Sequence, residues 1–441
     1  MIDYFIQLAF QRTIRELRTL VTLIFTLAFG IAICTTTFCL YLALNSEPVP
    51  NVSNSLYVVT MDARTEASAS DVPYEKPDSY VGLRVAKDIV QSDKVGHRLG
   101  LAQSSMVIAA DGSGQSVQAP GLITLGTDLS VLGVRVIQGR TWTRDEEESQ
   151  TPVVLLDAAT AKKLFPERDP IGQTVRVGDG LFRVIGIFSH WAPRTEFVDI
   201  PRNATNVAGQ EESFFIPAAT GLAHGVAPFT SGECHKGQAV VTFQSVALDG
   251  CRWMEVWVKL DSVSQVDTFR SYLASYAAQQ KASGYFVHAP KPEIFSTREW
   301  MAENSVIPAY VPASAFLAFG FLCLCVVNAT GMLLARFTRR ASDFGVRRAL
   351  GASQSQIFLQ AIFETGLIGM LGGFLSLPLV QLGVMVIRAQ KVDFSELATI
   401  PLEWFLGIVI SDLVIGVTVG VIPALRICHL PPAKVIKSGS Y

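Results

Sequence analysis

The sequence predicts an α-helical membrane protein that carries a large α+β domain on one side of the bilayer. Three observations predict it. Residues 20–44, 305–335, 357–387 and 404–427 each form an apolar stretch longer than the roughly 20 residues that cross a bilayer core. Arginines gather beside these stretches, at Arg12, Arg15 and Arg18 and again between Arg336 and Arg348, and such clusters stay on the cytosolic side. Between the first two stretches, residues 45–304 alternate strand-like and helix-like patterns broken by turn residues. The reading is four transmembrane helices with both termini cytosolic, and an extracytoplasmic α+β domain of two subdomains.

Composition agrees. Of 441 residues, 49% are hydrophobic and 17% charged, with net charge −2. The apolar excess sits in a few segments, as in a membrane protein with a water-exposed domain. No basic stripe suggests nucleic acid as a partner; the lipid bilayer is the expected one.

In chain order, residues 1–19 read as an amphipathic helix on the cytosolic face, with Phe5, Ile6 and Phe10 against Arg12, Arg15 and Arg18. An N-terminal extension of the first span fits the same residues. Residues 20–44 are too long for a signal-peptide core and read as a retained anchor. In the outer region, residues 55–61, 101–109, 116–125, 153–156, 174–177, 182–187, 254–260 and 285–288 read as strands. Residues 80–90, 158–164 and 263–279 read as helices. Gly178-Asp-Gly180 is a hairpin turn, and Asp169-Pro-Ile-Gly172 is a turn rather than a site. The β-α-β patterns at the two ends, residues 45–128 and 246–304, are expected to pair into one subdomain, and the insertion 129–245 to form the second. Residues 196–231 are punctuated by Pro and Gly and read as a long loop with short strands.

Cys234 and Cys251 lie in the outer region and are a disulfide candidate, although spacing alone does not supply the geometry. His224 and His235 nearby match no usual zinc spacing, so no metal site is assigned.

Residues 336–356 form the cytosolic segment on which the rest is organised. It holds Arg336, Arg339, Arg340, Arg347 and Arg348 but one acid, Asp343, and reads as a helix with weak points at Gly345 and Gly351. In residues 357–387, Gly366, Gly369, Gly372 and Gly373 are spaced for close helix packing. Glu364 lies near the cytosolic interface, within reach of Arg347 or Arg348. The external loop 388–403 lacks the arginine excess, and residues 428–441 form a cytosolic tail. Asp412 stands mid-span, where a carboxylate must face the bundle interior; a buried, hydrogen-bonded structural role is the preferred reading.

The run Asp343-Phe-Gly-Val-Arg-Arg-Ala-Leu-Gly-Ala352, followed by Gln356, Gln360 and Glu364, resembles the cytosolic motif of the MacB/FtsX family of ABC-transporter permeases. Asp343 replaces the usual Glu and Phe344 the usual Ile. Gly139-Arg-Thr-Trp142, Leu164-Phe-Pro166, Asp169-Pro-Ile-Gly172 and Val184-Ile-Gly-Ile187 resemble the family's outer domain, with Trp142 for the usual Phe. Gly420-Val-Ile-Pro-Ala424 and the following tail resemble its C-terminal signature, with Lys434 where an acid often stands.

The resemblance implies a porter-like subdomain (45–128 with 246–304) and an inserted sabre-like one (129–245). It implies that Arg339, Arg340, Asp343, Phe344, Gly345, Val346, Arg347, Arg348, Ala349, Leu350, Gly351 and Ala352 dock on an ATPase. The chain has no G-x-x-x-x-G-K-[ST] loop, so ATP and Mg would sit on a separate ATPase subunit, present in two copies. A second permease chain, the same or related, would complete the membrane part, with a periplasmic adaptor as a further candidate partner. The place implied is a bacterial inner membrane, with the large domain in the periplasm. Two functions compete: mechanotransmission driving efflux of a drug, peptide or lipidated cargo, and transduction to a cell-wall hydrolase with nothing transported. No catalytic spacing appears among the outer histidines, so an enzymatic role has no site.

Overall fold

The computed structural model describes residues 17–65, 79–111, 115–200, 207–228, 251–288, 291–390 and 402–428. The chain separates into two compact units, Met1–Asn45 with Pro308–Tyr441, and Ser46–Ile307. The expected amphipathic helix falls almost wholly outside the described residues. Helix α1, Leu17–Leu44, is the first apolar helix. Its threonines stay within their own backbone, Thr36 donating to Ala32 O at 2.8 Å and Thr37 to Ile33 O at 2.9 Å, which satisfies hydroxyls that lipid cannot.

The unit Ser46–Ile307 is built on one hydrogen-bonded sheet. Its strands are β1 (Leu56–Thr60), β2 (Tyr80–Val81), β3 (His97–Ala110), β4 (Ser116–Leu125), β5 (Val136–Gly139), β6 (Val153–Asp157), β7 (Thr174–Val177), β8 (Gly180–Phe188), β9 (Phe214–Pro217), β10 (Met254–Lys259) and β11 (Glu293–Ser296). The main order is β11-β1-β10-β3-β4-β9-β6-β8-β5. The two ends of the region pair, as the sequence suggests, through β1 with β10 and β11 and through β10 with β3. The insertion does not part from them. The long β3–β4 ladder continues into parallel pairing of β4 with β9, and one core cluster holds both Val256 of β10 and Val154 of β6. The division into two subdomains is thus not a break in the sheet or in its packing.

Helices α2 (Leu83–Val90) and α6 (Val263–Ala282) cover the sheet with helical-period apolar residues, Val85, Ala86 and Ile89 in one and Phe269, Leu273, Tyr276 and Ala277 in the other. Between them in sequence lie α3 (Arg144–Glu148), α4 (Ala158–Leu164) and α5 (Ala218–Ala223). Residues 80–90 start as strand β2 and become helical only from Leu83. The expected strand 285–288 is instead irregular chain that leaves α6. Gly284 takes φ +78°, and Tyr285 N donates to Gln280 O at 3.0 Å, so the aromatic run closes the helix through a left-handed glycine. The strand that pairs with β1 comes later, at β11. Gly139 has φ +74°, and a Cβ there would lie 2.2 Å from Ile185 O, so only glycine fits. Asp169 Oδ1 accepts Ile171 N at 3.0 Å and Gly172 has φ +83°, which makes Asp169–Gly172 a turn as read.

The chain leaves this unit after α7, Thr297–Glu303. Helices α8 (Tyr310–Arg339), α9 (Ala341–Ala349), α10 (Gln354–Ala389) and α11 (Leu402–Cys428) follow. Three stretches among the described residues, Thr19–Leu44, Tyr310–Arg339 and Gln354–Ala389, are long and apolar enough to cross a membrane. The fourth expected span is α11, whose shorter apolar stretch is Leu413–Arg426. Leu27 of α1, Leu333 of α8, Ile368 of α10 and Val419 of α11 share one core. Small residues let the helices close. A Cβ on Gly416 would meet Gly369 Cα at 2.4 Å, and one on Gly372 would touch Leu27 Cβ at 3.7 Å. Phe316 and Leu317 of α8 stay 77% and 76% exposed, a face suited to lipid.

Candidate functional site

The residues between α8 and α10 form a short clamped helix with a capped C-terminal end. Helix α8 stops at Arg340, whose backbone turns to φ −97°, ψ 9° and starts α9. Asp343 lies in the first turn of α9 and Arg347 and Arg348 in the last, each sign matched to its end of the helix dipole. Gly351 takes φ +102°. Gly351 N donates to Arg348 O at 3.1 Å and Ala352 N to Arg347 O at 3.0 Å, the paired bonds of a Schellman cap. Ser353 then opens α10, its Oγ accepting Gln356 N at 3.3 Å while Gln356 Oε1 accepts Ser353 N at 3.0 Å. The single helix expected over 336–356 is therefore three segments. Gly351 is a stop, while Gly345 sits inside α9 and is buried.

Side chains fasten α9 to its neighbours. Phe344 and Phe337 meet edge to face at 6.4 Å between ring centres and share a core with Ile357, Ala361 and Ala424. The aromatic ring at Phe344 therefore fills the space beside Phe337. Arg336 Nη2 lies 2.8 Å and Arg340 Nη1 2.9 Å from Glu364 Oε1. Arg347 Nη1 donates to Gln360 Oε1 at 2.8 Å. Glu364 is thus held by Arg336 and Arg340, while Arg347 goes one turn lower on α10. The sequence placed Arg336 in the basic cluster but not beside Glu364, yet it is four residues from Arg340, as Gln360 is from Glu364. That shared i,i+4 spacing was the available signal.

The predicted docking residues divide. Phe344 and Gly345 are buried, and Arg340, Arg347, Arg348 and Ala352 are half-buried. Arg339, Asp343, Val346, Ala349, Leu350 and Gly351 are exposed, with Leu350 at 82% and Val346 at 50%. Asp343, Val346 and Leu350 fall at three- and four-residue steps along α9 and its C-cap, so one charged and apolar stripe of that helix faces outward, with exposed Arg339 at the end of α8 before it. Asp412 lies on α11, and its side chain is outside the described residues.

The outer unit holds buried carboxylates that sequence reading missed. Glu255, in the apolar strand β10, accepts Ser79 Oγ at 2.7 Å, Asp199 N at 3.0 Å and Trp257 Nε1 at 3.1 Å. Burial, with the Asp199 carboxyl beside it, pushes Glu255 up to about 7. Glu196 accepts the backbone N–H groups of Phe197, Val198 and Gln210, and burial pushes it to about 7 as well. Burial and the neighbouring Glu196 raise Glu212 well above the usual range. Cys251 is buried and disulfide-bonded; Cys234, its expected partner, lies outside the described residues. His224 packs its ring on Phe182, and His235 is outside the described residues.

A family model described as the MacB-like periplasmic core domain matches residues 20–276, and one described as the FtsX-like permease C-terminal matches residues 315–432. The chain belongs to the MacB/FtsX family of ABC-transporter permeases. The macrolide export ATP-binding/permease protein MacB of Azoarcus sp. is 24% identical over 69% of this chain and 40% of its own length. That of Mannheimia succiniciproducens is 25% identical over 72% of this chain and 43% of its own length. The chain therefore spans about two fifths of the length of these relatives. The crystal structure of the periplasmic region of MacB from Actinobacillus actinomycetemcomitans covers 60% of this chain and 98% of its own at 16% identity, with TM-score 0.36. In this MacB/FtsX-family permease, the MacB-like match takes in α1 and the sheet-bearing unit as far as α6. The FtsX-like match takes in α9 and α10 entire, and with them the clamped stripe.

Proposed function

We propose that this chain is the permease subunit of a mechanotransmission ABC transporter, in which a separate ATPase subunit docks on α9 and drives motion of the extracytoplasmic domain. The observation that carries the reading is the exposed Asp343–Val346–Leu350 stripe on a helix fastened to two apolar helices by Glu364, Gln360 and Phe344. A partner that pushes on the stripe pushes on α8 and α10 together, because buried ion pairs and packed rings resist local yielding. Two ATPase subunits, carrying ATP and Mg, work with two permease chains across the inner membrane. The cargo class is a drug, peptide or lipidated protein, handed outside to a periplasmic adaptor.

The test is affinity purification from the native host in mild detergent, followed by native mass spectrometry. Two permease chains with two ATPase subunits and an adaptor are expected. Leu350→Asp and Asp343→Arg should each lower ATPase recovery at least about tenfold, as loss of an interface anchor does, with membrane insertion unchanged. Full recovery of the ATPase in both variants would remove the docking assignment. A cell-wall hydrolase in place of the adaptor would replace export with transduction.

A further inference from the structure

We infer that Asp157, His190 and Glu211 form a binding site for a divalent transition-metal cation of the Zn2+ class. A carboxylate oxygen of Asp157, a ring nitrogen of His190 and a carboxylate oxygen of Glu211 lie within 4.8 Å of one another. The three meet at one end of the adjacent strands β9, β6 and β8. Strand β6 runs parallel to β8 and antiparallel to β9. The end of β6, the exit from β8 and the approach to β9 therefore coincide. Asp157 is the last residue of β6, His190 follows β8 by two residues, and Glu211 precedes β9 by three.

Backbone bonds hold these segments in place. Asp157 N donates to Ser213 O at 2.9 Å, and Glu212 N donates to Trp191 O at 3.2 Å. Ligands carried on such fixed backbone need little ordering on binding.

Asp157 supplies the observation that points to an ion. It is only 2% exposed. Its Oδ2 caps α4, accepting Ala159 N at 2.8 Å and Thr160 N at 3.2 Å. Its Oδ1 is buried and has no hydrogen-bond partner. A sealed, unpaired carboxylate oxygen is costly, and a cation would satisfy it.

His190 Nδ1 and Glu211 Oε1 sit 2.9 Å apart, with side chains 66% and 51% exposed, so the site opens to solvent on the His190–Glu211 side. An ion would take the place of the hydrogen bond between them, with the ring proton on the other nitrogen. One imidazole and two carboxylates suit zinc, nickel or manganese better than a thiolate-seeking ion. Three protein ligands leave a coordination position for water or for a donor from a partner. Bound there, the cation pins the segments flanking β8 and β9 to the end of β6.

The experiment uses the full chain in detergent, with any affinity tag removed and metal stripped by chelator. Isothermal titration with ZnCl2 should show one saturable site per chain. Co2+ in place of Zn2+ should give visible ligand-field bands without a thiolate charge-transfer band. His190→Ala, Glu211→Gln and Asp157→Asn should each weaken Zn2+ binding at least about tenfold. Asp157→Asn keeps one oxygen for the helix cap, so folding should survive. His97→Ala is the control. His97 and Asp128 pair at 2.8 Å on the surface, with no third ligating group beside them among the described residues, and its loss should leave binding unchanged. The proposal falls if the wild-type chain takes up no Zn2+, if His190→Ala binds as wild type, or if a thiolate band appears.

Discussion

Glu255 stands where a central strand should place an apolar side chain. Met254, Val256 and Trp257 beside it are fully buried, and three hydrogen bonds keep its carboxyl among them. Its ordinary value is 4.5 and its folded value about 7, so the folded state holds the proton more tightly than the unfolded chain does. The resulting stability is complete below about pH 4.5 and is lost as pH rises through about 7. Glu196 adds to the same window. Glu146 works in the opposite sense: its hydrogen bonds with Arg140 hold it at about 2, so it affects stability only in more acidic solution. Thermal unfolding of the full chain should therefore shift to higher temperature as pH is lowered from about 8 to about 5. Glu255→Gln should flatten that dependence and raise the midpoint at the alkaline end, since its amide can still serve Ser79, Asp199 and Trp257. A wild-type midpoint that does not change across the window would contradict the buried neutral carboxyls.

At the scale of elements, glycine decides how closely α10 and α11 approach. Gly416 faces Gly369 so nearly that an added Cβ would lie 2.4 Å from backbone, whereas Gly331 on α8 has nothing within 4 Å. Gly416→Ala should cost about 1–3 kcal/mol through overpacking. Gly331→Ala should be neutral or slightly stabilising, because alanine is the better helix former. Unfolding midpoints of the two variants in detergent check this, and equal midpoints would mean the α10–α11 contact is looser than described. The same scale explains α9. Its cap at Gly351 and the box at Ser353 were legible in sequence as a weak point and a polar run, but three segments emerge because the cap bonds close there.

For the whole molecule, the compartment of each unit is the governing question. Cys251 is disulfide-bonded, which fits an oxidising space outside the cytosol. Non-reducing peptide mapping of the native protein should join Cys251 to Cys234. Alkylation of both thiols without reduction would argue against that pairing and against the outer placement of the region. Cys34, Cys39, Cys323 and Cys325, on α1 and α8, are free, as small apolar residues in spans should be.

Sequence alone determined the three apolar helices long enough to cross a membrane, the motif at 343–352 and most strands of the outer unit. These depend on local period, length and composition, which a linear chain displays. Residues 158–164 were legible as a helix because Asp157 and Pro166 mark its ends. Tertiary structure decided the rest. It chose Arg336 and Arg340 for Glu364, since helix packing sets which side chains share a depth. It made residues 285–288 the irregular exit from α6, closed by Tyr285, since the left-handed Gly284 outweighs aromatic strand preference. It joined the insertion to the ends in one sheet. It also brought Asp157, His190 and Glu211 together across more than fifty residues of chain, because strand pairing, not sequence spacing, determines which loop ends meet.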